Sequence, residues 1–311
     1  MDRPKEEHVK FVSLAGGLTG CITRVVVQPF DVLKIRLQLQ VEPIYAKSVA
    51  SKYRTIPQSV GLIFREEGIS AFWKGHNPAQ MLSMVYGVTQ FTSYEWANEQ
   101  LRQLSMFEGH DRARNFAGGA FSGTFSALFV MPFDVIKTRL ISQDPKGASG
   151  YTSSWHAARH IYVTEGLRGL YRGFGPALLH MAPLTGGQYL FYNLFGNIFK
   201  EVEHLPPNEC LSTTRLLLCG ALAGICTKTI VYPFDLIKCR LQIQNFYQAR
   251  KTFGEHFVCT HMLQCLVKVG QREGLFGLYK GLSSSLVKAT VASSIYFTVY
   301  DQLLCILNKK I

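Results

Sequence analysis

Three pairs of oppositely charged residues stand at matching places in the chain, each shortly after a proline in an apolar stretch. The segments are residues 29–36, 132–139 and 233–240. In each, an aspartate follows the proline by two residues and a lysine follows the aspartate by three, so the two share one helix face. The pairs are Asp31 and Lys34, Asp134 and Lys137, and Asp235 and Lys238. An ionisable pair at membrane depth normally faces a partner or a water-filled cavity, so we expect the acid of one helix to meet the base of another.

These segments belong to an internal repeat that covers most of the chain. The three prolines lie 103 and 101 residues apart. A second motif follows in each unit, a Glu-Gly pair that leads to an aromatic residue, a base and a glycine, at residues 67–75, 165–173 and 273–281. Self-similarity at a fixed period indicates a repeat architecture. We predict three repeats, at residues 9–104, 112–203 and 212–308.

Each repeat predicts two long helices with a short one between them. The first long helix carries the proline, which membrane helices tolerate when neighbours or water satisfy the freed carbonyl. The second follows the second motif, near residues 76–97, 174–199 and 282–307. Apolar residues recur at helical spacing near residues 56–66, 153–164 and 260–272, which predicts short amphipathic helices. We therefore expect an all-α membrane protein with six transmembrane helices in three pseudo-symmetric two-helix repeats.

Pairs of glycines precede each proline at the spacing that lets membrane helices approach closely. They are Gly16 and Gly20, Gly119 and Gly123, and Gly220 and Gly224. The sequence predicts that each repeat opens with an apolar, close-packing helix.

Composition agrees with a membrane protein that handles anions. Among the 311 residues 47% are hydrophobic and 17% charged, below the quarter that is usual in soluble proteins. A net charge of +12 suits nucleic acid, an anionic lipid surface or an anionic solute. The eight cysteines include no C-x-x-C spacing, so we expect free apolar thiols.

Three bases lie inside the long apolar stretches. Of 33 Lys and Arg residues, 20 fall between the two motifs of a repeat and 10 at the termini and inter-repeat loops, which leaves Arg24, Lys228 and Lys288. A charge at this depth costs about 2.5–3.5 kcal/mol on insertion scales, so an unpaired base there indicates a functional site. We expect no acid at comparable depth, hence a positive cavity that prefers anions.

Arg24 and Lys228 occupy equivalent places, each five residues before its proline, where the second repeat has Ala127. We predict that both contact a substrate. The structural alternative is that they snorkel or donate to helix carbonyls.

The sequence gives no case for an enzyme. His156 and His160 are four apart, but the glutamate of a zinc protease and a third ligand are missing, so we expect no metal site. Serine and cysteine residues lack an evident base and orienting group, so we expect no catalytic residues. We also expect no cofactor and no nucleic-acid partner.

The two motifs, repeated three times in register, resemble the signature of the mitochondrial carrier family over essentially the whole chain. The resemblance implies a multi-pass protein of the mitochondrial inner membrane with a matrix-side gate of three ion pairs, Asp31 with Lys137, Asp134 with Lys238 and Asp235 with Lys34. It also implies glutamine braces at Gln38 and Gln242, nine residues after their prolines, where the second repeat has Ile141.

On the cytoplasmic side the chain departs from the family pattern of an acid followed by a base three residues later. Glu95 is followed by Asn98 and Asp301 by Leu304, and the second repeat has Asn193 in place of the acid. The resemblance therefore implies a weak cytoplasmic gate.

The family's substrate contacts carry over to positions on the second long helices. Lys288, thirteen residues before Asp301, is the implied third-repeat contact, and the equivalent offsets give Leu82 and His180. His180 has packing as its structural alternative.

Within the family the chain is most similar to carriers of thiamine pyrophosphate. The similarity lies in Arg24 with residues 29–40, in residues 72–83, at Tyr86-Gly87 and Gln90-Phe91, and in residues 280–289. It implies alternating-access exchange of a phosphorylated anion, with thiamine pyrophosphate as substrate and not cofactor, and a partner lipid such as cardiolipin around a monomer. The alternatives are an adenine nucleotide or coenzyme A carrier, a non-transporting scaffold and a proton-leak protein.

Overall fold

The computed structural model describes residues 3–41, 52–53, 55–103, 111–143, 150–203, 212–246 and 258–308. Within these ranges the chain forms nine α-helices and a short 3-10 helix, Ile69–Trp73. The α-helices are α1 Arg3–Leu39, α2 Ile56–Glu67, α3 His76–Arg102, α4 Asp111–Ser142, α5 Ser154–Leu170, α6 Phe174–Val202, α7 Thr213–Gln242, α8 Met262–Gly277 and α9 Leu282–Asn308.

The helices follow the predicted order of long, short and long in each repeat. The helices α1, α4 and α7 each continue through their proline. The amphipathic helices α2, α5 and α8 lie between the long ones, and Gly166 and Gly274 break the helical backbone inside α5 and α8. The all-α class is thus confirmed for the described residues.

Glycines of the second motif set the turns between helices. Gly75, Gly173 and Gly281 have φ of 72°, 82° and 83°, in the region that favours residues without a Cβ. At Gly173 a Cβ would also lie 3.0 Å from the carbonyl oxygen of Lys238, so this turn packs directly against α7.

Neighbouring repeats pack side by side into a closed ring. Helix α3 lies along α4, α6 along α7, and α9 returns along α1. The helices α1, α4 and α7 also contact one another. This arrangement brings the charged segments of α1, α4 and α7 together.

Below the prolines, each repeat is fastened by a buried charge cluster that the sequence reasoning missed. In each repeat, the arginine that ends the first motif makes a bidentate ion pair with the glutamate that begins the second motif. A further base contacts the same glutamate. In the second repeat, Arg139 donates to Glu165 at 2.5 and 2.9 Å, and Arg172 lies 3.2 Å from the same carboxylate. Arg36 and Arg240 bind Glu67 and Glu273 in the same way. These clusters tie the end of each long helix to the turn that follows the short one.

The first helix of each repeat packs closely against a neighbour, but most of the described glycines of these pairs face open space. A Cβ built at Gly20, Gly119, Gly220 or Gly224 would meet nothing within 4 Å, and one at Gly123 would make an ordinary 3.7 Å contact with Met181. A closer approach occurs at Gly187, where a Cβ would lie 3.0 Å from Thr227. Spacing alone does not tell which face of a helix meets its neighbour. Gly16 lies outside the residues whose side chains are described.

Two segments in the described part of the chain are long and apolar enough to cross a membrane by length and composition. They are Ala117–Ser142 in α4 and Thr214–Gln242 in α7, with mean hydropathies of 1.4 and 1.6. Helix α1 carries Arg24, Asp31 and Lys34 within its length, which lowers its mean hydropathy.

Candidate functional site

Three ion pairs join α1, α4 and α7 just below their prolines. The Nζ atom of Lys137 on α4 lies 2.8 Å from Asp31 Oδ2 on α1. Lys238 on α7 lies 2.8 Å from Asp134 on α4, and Lys34 on α1 lies 3.1 Å from Asp235 on α7. The contacts close a triangle, and their partners are those that the family resemblance implies. Their action as a gate stays a prediction.

The pairs differ in how far water reaches them. The side chains of Asp31 and Lys137 are 3% and 8% exposed, whereas those of Asp134 and Lys238 are 17% and 26% exposed. A charge that is buried without its partner is strongly destabilising, so the Asp31 pair should contribute most to holding the helices together in this state.

The two glutamines expected as braces make different contacts. Gln242 donates to Asp134 at 2.6 Å and accepts from Thr138 at 2.7 Å, so it supports the Asp134–Lys238 pair directly. Gln38 instead donates to the Tyr232 hydroxyl at 3.1 Å. That hydroxyl donates to the carbonyl of Lys280 at 2.8 Å. Gln38 thus links α1 to α7 and, through Tyr232, to the turn before α9, without contacting the aspartate of a pair.

The bases predicted to bind substrate are not unpaired. Lys288 on α9 lies 2.5 Å from Asp31 Oδ1, and Arg24 lies 3.4 Å from Asp31 Oδ2. Lys228 donates to Asp235 at 2.7 Å, and Nε2 of His180 on α6 lies 3.4 Å from the same aspartate. Each of these bases thus has an aspartate as partner, although the sequence indicated unpaired bases at this depth.

The physical reason is helical geometry. Arg24 stands seven residues before Asp31, and Lys228 seven before Asp235. Seven residues are close to two helical turns, so each base lies above its acid on one face and its long side chain spans the gap. The spacing was visible in the sequence and would have identified both contacts.

The cluster carries more positive than negative charge. Its three aspartates are contacted by six Lys and Arg residues, so the bases outnumber the acids by three. The six bases are Arg24, Lys34, Lys137, Lys228, Lys238 and Lys288. The distribution is uneven. Asp31 holds three bases, and Asp235 holds two bases and a histidine. In the described part of the chain, Asp134 has an ion pair with Lys238 alone. The surplus positive charge therefore gathers around Asp31 and Asp235.

The remaining predicted site residues lie outside this cluster or outside the residues that the structure describes. Leu82 is half-buried on α3, and Glu95, further along α3, is exposed. Glu95 makes no ion pair within the described ranges, and the nearby Asn98 accepts from Arg114 Nε at 3.1 Å. The side chain of Asp301 lies outside the described residues.

Metal ligands are not assembled in the described ranges, where no three His, Cys, Asp or Glu side chains are close enough to hold an ion. His156 and His160 each meet the ring of Tyr151, with centroid distances of 6.1 and 5.5 Å. The cluster around Asp31 and Asp235 can bind an anion, because its Lys and Arg residues outnumber its aspartates by three.

Comparison with known proteins identifies the family. The sequence model described as "Mitochondrial carrier protein" matches residues 8–105, 110–203 and 210–310. A human protein named mitochondrial thiamine pyrophosphate carrier is 38% identical over 298 residues, which cover 94% of this chain and 91% of the relative. A protein from Coccidioides immitis named mitochondrial thiamine pyrophosphate carrier 1 is 33% identical over 98% of this chain and 95% of its own length. An Arabidopsis thaliana protein named mitochondrial thiamine diphosphate carrier 1 is 31% identical over 97% and 95%. With three matched units over most of its length, the chain belongs to the mitochondrial carrier family.

Proposed function

We propose that the chain spans the mitochondrial inner membrane with six helices and exchanges thiamine pyrophosphate across it, with net uptake into the matrix. The observation that carries the proposal is the excess of three bases around Asp31 and Asp235. A diphosphate carries several negative charges and needs convergent cations that form charge-assisted hydrogen bonds. The names of relatives at 31–38% identity point to the same solute.

Arg24, Lys228 and Lys288 are the residues proposed to hold the diphosphate. They come from α1, α7 and α9, so one ligand bound to all three links two repeats. His180 on α6 adds a contact from the remaining repeat, and Leu82 on α3 offers an apolar surface. The thiamine rings would then lie between these helices.

The bases proposed to bind the substrate pair with Asp31 and Asp235 in the structure. An entering diphosphate has to compete with Asp31 for Lys288 and Arg24, and with Asp235 for Lys228. When these bases move to the diphosphate, each aspartate keeps fewer partners. A ligand shifts a two-state equilibrium only by its difference in affinity for the two states. Loss of contacts at the gate supplies such a difference, because it weakens the state in which α1, α4 and α7 are joined.

The matrix-side gate is therefore proposed to comprise Asp31, Asp134, Asp235, Lys34, Lys137 and Lys238, with Gln242 and Gln38 as braces. It opens as the opposite side closes, in the alternating-access cycle of repeat-built transporters. Glu95 and Asp301 are proposed to take part in the cytoplasmic closure. No bond is made or broken in the solute.

Anionic lipid is the proposed second partner. A cavity of about 390 Å³ lies between the N-termini of α3 and α5, where Gly75 and Ser153 are the N-cap residues and Lys74 lines the wall. A cavity of about 230 Å³ lies between the start of α2 and Gly281, just before α9. Helix N-termini bind phosphate groups. We propose that these cavities hold lipid phosphates such as those of cardiolipin, around a monomer.

Exchange in liposomes tests the proposed solute. Purified protein is reconstituted into vesicles loaded with thiamine pyrophosphate, ADP, coenzyme A or buffer, and uptake of labelled thiamine pyrophosphate is followed. Uptake should depend on internal thiamine pyrophosphate. Uptake that follows internal ADP or coenzyme A and ignores thiamine pyrophosphate would assign the chain to one of those solutes instead. Proton leak without solute exchange, or neither activity, would contradict a carrier function.

A further inference from the structure

Two cysteines in the third repeat lie together where the other repeats have no thiol. Cys259 and Cys265 belong to one apolar cluster with Leu241 and Val269, and both are buried. Each thiol is close enough to the other to shift its pKa. Cys259 stands two residues before His261, the N-cap of α8, and Cys265 lies one turn inside that helix. Both lie in the short-helix region of the third repeat, where this cluster packs against the end of α7.

At the places of these two cysteines, the first and second repeats have other residues. Two residues before the N-caps of α2 and α5 stand Tyr53 and Tyr151, and the residues six positions further on are Ser59 and Ala157. Tyr53 accepts from Arg36 at 3.2 Å and so joins the charge cluster of its repeat. In the third repeat the corresponding base, Arg240, binds Glu273, and the tyrosine is replaced by a thiol whose neighbour is a second thiol.

We propose that Cys259 and Cys265 form a redox-active dithiol, which peroxide converts to an intramolecular disulfide. The thiolate of Cys259 attacks the peroxide O–O bond, giving a sulfenic acid and hydroxide. The sulfur of Cys265 then displaces the sulfenic oxygen, which leaves as water once the Cys265 proton is transferred. In total, two thiols and one hydrogen peroxide give one disulfide and two waters, so the thiols are oxidised and the peroxide is reduced.

The surroundings distinguish the attacking sulfur from the resolving one. The neighbouring Cys265 thiol lowers the pKa of the Cys259 thiol, and the charges of Lys268 and Arg240 act in the same direction against burial. The Cys259 thiol and burial raise the pKa of Cys265. A thiol with a lowered pKa beside cationic residues is the reactive type. Cys259 is flanked in sequence by the exposed residues Val258 and Thr260, so it lies just beneath the surface.

A disulfide at this place would fix the segment before α8 to the helix itself. That segment is already held by a hydrogen bond from Lys268 to the carbonyl of Val258 at 2.6 Å, and Thr260 donates to Gln264 at 2.7 Å. These bonds hold the segment that carries Cys259 against α8, the helix that carries Cys265.

The repeat supplies matched control variants. Cys259→Tyr introduces the residue of the first two repeats, Cys265→Ala introduces that of the second, and Cys265→Ser that of the first. Buried Cys219 and Cys239 remain in every variant as internal references for general oxidation. Each variant is purified as the full chain, and its melting temperature is measured to verify folding before oxidation.

The test is mass spectrometry of peptides after treatment of the purified chain with hydrogen peroxide and alkylation of the remaining thiols. The wild-type chain should yield a linked peptide with both cysteines protected from alkylation and a mass about 2 Da below that of the dithiol. Dithiothreitol should restore alkylation. Cys265→Ala and Cys265→Ser should stop at a sulfenic or higher oxide on Cys259, and Cys259→Tyr should leave Cys265 unoxidised.

Two results would overturn the proposal. One is alkylation of both cysteines in the wild-type chain under peroxide conditions that already oxidise its methionines. The other is stepwise oxidation of Cys259 to the same extent in the wild type and in Cys265→Ala, since a resolving thiol must divert the sulfenic acid to a disulfide. Because Cys265→Ala and Cys265→Ser change only the resolving residue, the test holds even if the tyrosine does not fit at position 259.

Discussion

Replacing Asp31 by asparagine removes the carboxylate that holds Lys137, Lys288 and Arg24 at 2.8, 2.5 and 3.4 Å. The side chain is 3% exposed, so water cannot take over its role. Removing one partner of a buried ion pair typically costs about 3–5 kcal/mol, because the other charge stays buried without compensation. The Asp31→Asn chain should lose stability in this range.

Asp134→Asn is the matched comparison. It removes the same chemical group from the equivalent place, but the base left behind is Lys238, which is 26% exposed and therefore better solvated. We expect a loss of about 1 kcal/mol, as for pairs that are open to water. The loss of 3–5 kcal/mol expected for Asp31→Asn can be converted to a change in melting temperature. With an unfolding entropy of about 2.1 cal/mol/K per residue over 311 residues, it corresponds to a fall of roughly 5–8 °C.

The assay is thermal unfolding of purified protein in detergent, with and without thiamine pyrophosphate. Added ligand should raise the melting temperature of Asp31→Asn more than that of the wild type, since Lys288 and Arg24 no longer have to leave an aspartate. Equal melting temperatures for Asp31→Asn and Asp134→Asn would refute the reasoning. A ligand-induced shift that is the same in wild type and Asp31→Asn would refute the competition between the aspartate and the solute.

Three more variants test separate parts of the site. Lys288→Ala should abolish exchange in liposomes while the melting temperature stays nearly unchanged, because Asp31 keeps Lys137 and Arg24; normal transport would exclude Lys288 from the binding site. Gln242→Ile introduces the residue that the second repeat has at the equivalent position. It should destabilise the chain by about 1–3 kcal/mol, because the hydrogen bonds of Gln242 with Asp134 and Thr138 are lost, and an unchanged melting temperature would contradict the brace. Burial tends to raise the pKa of Glu67, but hydrogen bonds from Arg36 and Lys74 and their charges hold that pKa below its ordinary value. The wild type should therefore lose stability as pH falls below about 4.3, the ordinary pKa of Glu. Glu67→Gln should be less stable than the wild type at neutral pH, and its melting temperature should fall less steeply as the pH is lowered.

The repeat explains why so much of the fold could be predicted from one sequence. Three copies of each motif in register fix the order of long and short helices, and the Asp and Lys spacing places both residues of each pair on one helix face. Which acid meets which base came from the family resemblance, and the geometry of the ion pairs agrees. Periodicity is local information, so it describes helices well.

Contacts between helices were harder to predict. Arg36 and Glu67 are 31 residues apart in the chain, and neither spacing nor hydropathy indicates the bond between them. The glycine pairs show the same limit, because small residues permit close approach without specifying which face of the helix meets its neighbour. The contact between Arg24 and Asp31 lies within one helix and depends on the reach of a long side chain over seven residues, which depth in the membrane does not indicate.

The most direct measurement of the central idea is exchange of labelled thiamine pyrophosphate by liposomes that contain wild type, Lys228→Gln or Arg102→Gln. Arg102 is an exposed base at the end of α3, far along the chain from the cluster, and serves as the charge-matched control. If the three surplus bases hold the diphosphate, Lys228→Gln should lose most of its uptake at low solute concentration while Arg102→Gln behaves like the wild type. Equal uptake by Lys228→Gln and Arg102→Gln over the whole concentration range would contradict a diphosphate site at this cluster.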